Sequence, residues 1–318
     1  MSFVHDDSEF RALLTQVSAE TGIAAALVEK DYWITHSLWA LHETRLAIWF
    51  KGGTSLSKGF GIIERFSEDL DLMIERGGVT TLPEVTNWAS TNKGPTAQRR
   101  AFYEGLPAAF AIGGVSVELD AQRQDKYARA ADYVCRYPGA HVTGLPSAMS
   151  PFVRFEVGRA RVVPFARMPI TSFVHDHLAR LGMSDDFADN RPRAVRCVHP
   201  IVTLLEKLDA LSRRYSREAF EADGFVRHYE DAARIVLALD RLPPFETSPL
   251  ALAEDMLAEK GIAALPSADD PSLVLDDTKK RASVERAYTK IAPMFWGPRI
   301  ALDEACATLR EWVDALRG

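Results

Sequence analysis

Residues 50–72 read FKGGTSLSKGFGIIERFSEDLDL, and this stretch constrains the chain more than any other. Leu46, Ala47, Ile48, Trp49 and Phe50 lead into it as a short apolar run that stops at Gly52 and Gly53, the pattern of a buried strand entering a turn. Asp69, Leu70, Asp71, Leu72 and Met73 then read as a second strand. Side chains on a strand repeat every second residue, so Asp69 and Asp71 share a face and can hold magnesium, or manganese, between them. Gly52 and Gly53 let the backbone approach a phosphate closely. Thr54 and Ser55 offer hydroxyl donors, and residues 55–63 can begin a helix whose free N–H groups favour anions. Either feature alone reads as a solvated turn. Together they change the reading, because carboxylates on one face repel each other unless a cation or an arginine offsets them. The loop is not a Walker A, since Lys58 is followed by Gly59 and no G-K-[ST] occurs there.

Around this motif the chain alternates and then becomes helical. Residues 8–20 and 24–41 are predicted helices, and residues 95–112 a third, stopped by Gly113 and Gly114. Residues 115–119, 133–137 and 152–157 are strand candidates, so the expected class is α+β, a mixed sheet with flanking helices. From Pro200 onward residues 200–215, 220–239, 249–260, 282–292 and 300–316 read as helices, which sets expected domains at 1–198 and 199–318. No apolar stretch reaches the length of a membrane helix, and MSFVHDDSEF is acidic where a signal peptide is basic, so a cytoplasmic protein is expected. Cys135, Cys197 and Cys306 are odd in number and far apart, which argues for buried thiols over disulfides or zinc.

Alternation in residues 151–157 puts Val153, Phe155 and Val157 on one strand face and Phe152, Arg154 and Glu156 on the other. Glu156 is therefore a candidate third metal carboxylate; pairing with Arg154 or Arg159 is the competing account, and Asp120 is a weaker candidate for the same role. A net charge of −6 argues against a nucleic-acid partner, but basic residues cluster locally. Arg191, Arg193, Arg196, Lys207, Arg213, Arg214 and Arg217 face few acids in sequence, and Arg154, Arg159, Arg161 and Arg167 form another group. Such surpluses suit a triphosphate, an RNA backbone or the protein's own acidic segments.

The glycine pair with a following hydroxyl, the spacer and the D-x-D resemble the polymerase-beta-like nucleotidyltransferase superfamily. The fuller wording, KGGTSLSK, RFSEDLDL and the upstream EKDYW of residues 29–33, resembles the AbiEii branch of nucleotidyltransferase toxins from about residue 28 to about residue 235. LLEKLDALSRR resembles that family's lysine-bearing segment, and RHYED of residues 227–231 its segment with a conspicuous carboxylate, departing at Glu230, where the pattern has an aromatic residue. The resemblance implies a Mg-dependent nucleotidyltransferase of a toxin–antitoxin or abortive-infection system. In it Asp69 and Asp71, with Glu156, hold the metal, and Gly52, Gly53, Thr54 and Ser55 cradle the phosphates of a nucleoside triphosphate. Lys58, Arg65 and Lys207 neutralise charge, and Asp231 orients a basic group or the acceptor. The implied acceptor is the 3′ end of transfer RNA, and an antitoxin is the implied partner. Adenylation of a protein and nucleotide sensing without turnover are the alternatives. Ser67, two residues before Asp69, invites a regulatory reading, since a phosphate there would add negative charge beside the metal carboxylates.

Overall fold

The computed structural model describes all residues except Glu68, Ala140, Val142, Thr143, Pro146, Ser147, Ala148 and Gly318. Helices α1 (Phe10–Thr21) and α2 (Ala25–Glu43) precede strand β1 (Ala47–Lys51), the one-turn α3 (Gly52–Thr54) and strand β2 (Asp69–Glu75). Helix α4 (Lys93–Phe110) leads to β3 (Ser116–Leu119), β4 (Ala130–Arg136), β5 (Val153–Gly158) and β6 (Phe165–Met168). Then come α5 (Phe173–Arg180), β7 (Val195–Val198), α6 (Pro200–Tyr215), α7 (Arg227–Ala238), α8 (Pro249–Ala258), α9 (Pro271–Val274), α10 (Thr278–Lys290) and α11 (Leu302–Arg317). The strands form one seven-stranded sheet in the order β3-β4-β5-β2-β1-β7-β6. β2 is antiparallel to β1 and parallel to β5, and β1 is parallel to β7, so the sheet is mixed. The architecture is the α+β one read from the sequence, with helices following the sheet.

Two compact units divide the chain: Met1–Gly59, Ser67–Arg159 and Arg167–Cys197 make the first, and Phe60–Phe66, Ala160–Ala166 and Val198–Gly318 the second. In the first unit the sheet is two-faced. Phe50, Leu70, Leu72, Val153, Phe155, Val157 and Tyr133 are buried on one side, while Asp69, Asp71, Arg154, Glu156 and Asp132 alternate with them on the other, only half-buried. α2 packs against α1, β5 and α5 and is buried nearly all round. Its buried charged residues are each tied to a different segment, because burying an unpaired charge costs several kcal/mol, of order 1–3 even for a neutral polar group. Glu29 accepts from the His141 N–H at 2.8 Å, Lys30 donates to the Ser150 carbonyl at 3.0 Å, and Asp31 accepts from the Phe173 N–H at 3.0 Å. In the second unit α6 and α7 pack together, with α9 on α6 and α11 on α7.

The structure corrects several boundaries. The helix expected over residues 55–63 is instead the single turn α3 followed by a π-helical turn, Ser55–Gly59, and residues 61–64 are irregular. The helix expected over residues 220–239 begins only at Arg227, after a 3-10 turn at Ala222–Gly224. β6, α5 and β7 were not anticipated. The three cysteines are buried free thiols, and burial pushes Cys135, Cys197 and Cys306 each up to about 12. Among the described residues no helix is long and apolar enough to cross a membrane.

Candidate active site

The carboxylates come together through strand register. Asp71 pairs with Lys51 of β1 on one side and Glu156 of β5 on the other, and Glu156 pairs in turn with Asp132 of β4. Paired residues on adjacent strands present their side chains side by side on the same face. Asp71, Glu156 and Asp132 therefore form a row across three strands, with Asp69 two residues along from Asp71 on the same face. Arg154, paired with Asp69 in register, reaches Asp120 at 3.1 Å, Asp132 at 3.8 Å and Asp69 at 3.9 Å. Arg159 pairs with Glu75 instead. Glu156 thus has neither of the arginine partners weighed for it, and among the described residues no ion pair holds it. Burial, then the neighbouring charges of Asp69, Asp71 and Asp132, push its carboxyl up to about 7 against the weaker opposing pull of Arg123.

Gly52 sits where β1 ends, and its identity is dictated by Asp71. Its φ is +74°, and a Cβ built there would stand 1.8 Å from Asp71 Oδ2. Glycine thus leaves room for the carboxylate as well as for the turn. Gly53 is buried behind it. The hydroxyls of this turn are not phosphate donors as placed: Thr54 Oγ1 donates to the Asp69 carbonyl at 2.7 Å, which fixes the start of β2, and Ser55 is 1% exposed. Lys58 is also engaged, in a largely buried ion pair with Asp31. The structure gives EKDYW a role through this pair, since Asp31 ties the π-helical turn and the start of α5 to α2.

Asp69, Asp71 and Glu156 supply the hard oxygen donors a divalent cation takes. The raised Glu156 carboxyl reports a concentration of negative charge that a cation would offset. Among the described residues no group of three or more His, Cys, Asp or Glu side chains is placed to hold a metal ion, so Asp69, Asp71 and Glu156 share a face without converging on one point.

Arg65, Lys207 and Asp231 belong to the second unit, where they form one buried cluster. Arg65 Nε and Nη2 donate to the two Asp231 oxygens at 2.7 and 2.6 Å, a bidentate pair, and Lys207 Nζ donates to Oδ2 at 2.8 Å. Burial alone would raise Asp231, but Arg65 and Lys207 outweigh it and hold its carboxyl well below the usual range. Burial pushes Lys207 down, opposed by Asp231 beside it. His228, driven far below the ordinary imidazole range by burial and by Lys207, stays neutral, so its Nδ1 can accept from Lys207 at 3.3 Å. Arg65 therefore faces Asp231, and not a triphosphate, in this structure. The neighbouring Glu230, where the sequence departs from its pattern, is fully buried and accepts from Arg234, Arg299, Tyr288 and the Ile300 N–H.

Sequence reasoning missed Asp132 and His228. Asp132 fell one residue outside a strand expected to begin at 133, although its alternation with Tyr133 was visible. His228 stood beside Asp231 in RHYED with nothing to mark it. Ser67 lies before the first residue of β2, so strand alternation does not assign it to the carboxylate face.

A strand ending in a glycine turn beside a strand with paired aspartates is the arrangement of a metal-assisted nucleotidyltransferase. The chain belongs to the AbiEii family: the family model described as "Nucleotidyl transferase AbiEii toxin, Type IV TA system" matches residues 38–305. The protein is accordingly an enzyme of the nucleotidyltransferase class, in a family of toxin–antitoxin proteins. The match begins after EKDYW and runs well past residue 235, taking in C-terminal helices in which the sequence offered no motif. No curated protein and no solved structure matches the chain.

Proposed function

We propose that this protein transfers a nucleoside monophosphate from a nucleoside triphosphate to the 3′ end of an RNA acceptor, transfer RNA in particular, with magnesium held at Asp69, Asp71 and Glu156. The observation that supports the metal site is Glu156: half-buried, without an ion pair among the described residues, and raised to about 7 by burial and the adjoining aspartates. A bound divalent cation would bridge carboxylates and triphosphate and stabilise the charge that develops in transfer. The chain's own residues do the positioning. Gly52 keeps the end of β1 clear for the Asp71 carboxylate, Thr54 fixes the first residue of β2, and Arg154 balances the acidic row from Asp120 to Asp69. Backbone N–H groups of Gly53 and Thr54 donate to phosphate oxygens, while that of Ser55 donates to the Gly52 carbonyl. In the second unit Asp231 holds Lys207 and Arg65 in one buried, charge-compensated cluster. An antitoxin partner follows from the family.

Purified protein incubated with total bacterial RNA, Mg²⁺ and each of the four α-labelled nucleoside triphosphates in turn tests this reading, with Asp69→Ala as control. Label in small RNA from one nucleotide, lost in the control and on chelation, is the expected result. Label in protein bands would replace the RNA acceptor with a protein hydroxyl, and binding without transfer would leave a nucleotide sensor.

A further inference from the structure

We propose that an arginine-lined groove on the first unit, separate from the acidic row, binds the phosphodiester backbone of the RNA acceptor behind its reacting end; this rests on the RNA reading above. A cavity of about 490 Å³ is lined by Arg167, Arg191, Arg193 and Arg196 against only two carboxylates, Asp189 and Glu43. A cavity of about 220 Å³ adjoins it and shares Asp189, Arg191, Pro192 and Arg193. The concentration of cations is local, because the whole chain carries a net charge of −6.

Asp189 binds Arg191 at 2.8 Å and Arg193 at 3.2 Å and so fixes the orientation of both. Arg193 is otherwise open, its side chain 85% exposed. Arg167 and Arg196 have no carboxylate partner among the described residues, and Arg196 lies over the Trp49 ring at 4.9 Å. Other arginines of the same sequence clusters differ, since Arg154, Arg159, Arg161 and Arg213 each meet an acid of the protein itself. Guanidinium groups present a planar fork that matches phosphate oxygens bidentately and are weakly hydrated. Four of them along a depression, two unpaired, therefore suit a chain of phosphates.

The position of the groove fits an acceptor. Phe50 pairs with Cys197, the residue after Arg196, and Trp49 is three residues from Gly52. At the rise of a strand, that is about 10 Å. A strand of RNA seated on Arg196, whose guanidinium lies over Trp49, thus reaches the glycine turn with a short extension.

Fluorescence anisotropy with a short 5′-fluorescein single-stranded RNA, without nucleotide and across about 50–200 mM salt, tests the groove. In the triple variant Arg191→Gln, Arg193→Gln, Arg196→Gln, affinity is expected to fall at least about tenfold. The salt slope should become shallower by about 2, at roughly 0.7 for each single-strand phosphate that the variant no longer neutralises. Arg193→Gln alone, at a side chain 85% exposed whose ion pair is with Asp189, is expected to weaken binding about threefold or more. Unchanged RNA affinity in both variants would overturn the groove, as would tighter binding of fluorescein-labelled polyglutamate than of RNA, which would mark the surface as a dock for an acidic protein. The same samples, assayed for nucleotide addition, separate the two claims. RNA bound through the groove without nucleotide addition sinks the RNA-transfer reading alone, and addition with groove-independent binding sinks the groove alone.

Discussion

At Gly52 two demands meet, a left-handed backbone and space for a neighbouring carboxylate, and no side chain satisfies both. Gly52→Ala is expected to displace Asp71 and cost on the order of 1–3 kcal/mol, read as a lower melting temperature together with loss of transfer. Asp71→Asn should remove transfer while leaving the circular dichroism spectrum and melting temperature intact; full activity would refute the metal assignment. Glu156 carries the pH dependence of the site. Its folded value of about 7 lies above the unfolded value, so the native state binds the extra proton between the two. This group therefore lowers stability progressively as pH rises through that window, and its cost is complete above it. Glu156→Gln removes the cost, so in EDTA the variant should be more stable than wild type at pH 8 and nearly equal at pH 5. After allowance for solvent screening at this half-buried site, the gain at pH 8 is on the order of 1–2 kcal/mol. Asp69 and Asp71 were legible because a period of two is visible in five residues. The engagement of Thr54 with the Asp69 carbonyl was not, because it joins residues far apart in sequence.

Elements were legible where a long periodic stretch or a cap marked them and obscure where they were short. Helix α6 falls on residues 200–215 as read, since Pro200 opens it and one apolar stripe runs its length. α2, by contrast, is buried nearly all round, so its charged residues gave no solvent face, and only its contacts show that Glu29, Lys30 and Asp31 are fasteners. β6 and β7 are four residues each, and the former carries no apolar run. α5 was passed over although a cap marks it: Ser172 accepts from the His175 N–H, after Pro169. On α7, Asp231→Ala leaves Arg65 and Lys207 buried without their anion, a loss expected at about 3–5 kcal/mol. The Asp231 carboxyl is depressed, so its contribution is fully present above the unfolded carboxylate range and fades only as pH falls below it. Thermal melts at pH 7 check the size of the effect. A change within about 0.5 kcal/mol would show that the cluster does not hold the unit together.

Across the whole molecule, the family match spans both units, whereas the sequence by itself carried motifs only into the start of α7. The motifs were readable because each packs its chemistry into a few adjacent residues. The helices beyond α7 hold their unit through dispersed contacts, such as Glu230 with Tyr288 and Arg299, that no local pattern announces. The division into units also interleaves the sequence, since residues 60–66 and 160–166 join the helical unit, and Arg65 reaches Asp231 within it. The central claim is that the first unit directs attack at the α-phosphate of a nucleoside triphosphate. It is tested most directly by single-turnover reactions with the same nucleotide labelled at either the α- or the γ-phosphate, in wild type and Asp71→Asn. The account predicts α-label in the acceptor, γ-label released as pyrophosphate, and neither reaction in the variant. Transfer of the γ-label to the acceptor, or α-label incorporation undiminished by Asp71→Asn, would contradict it.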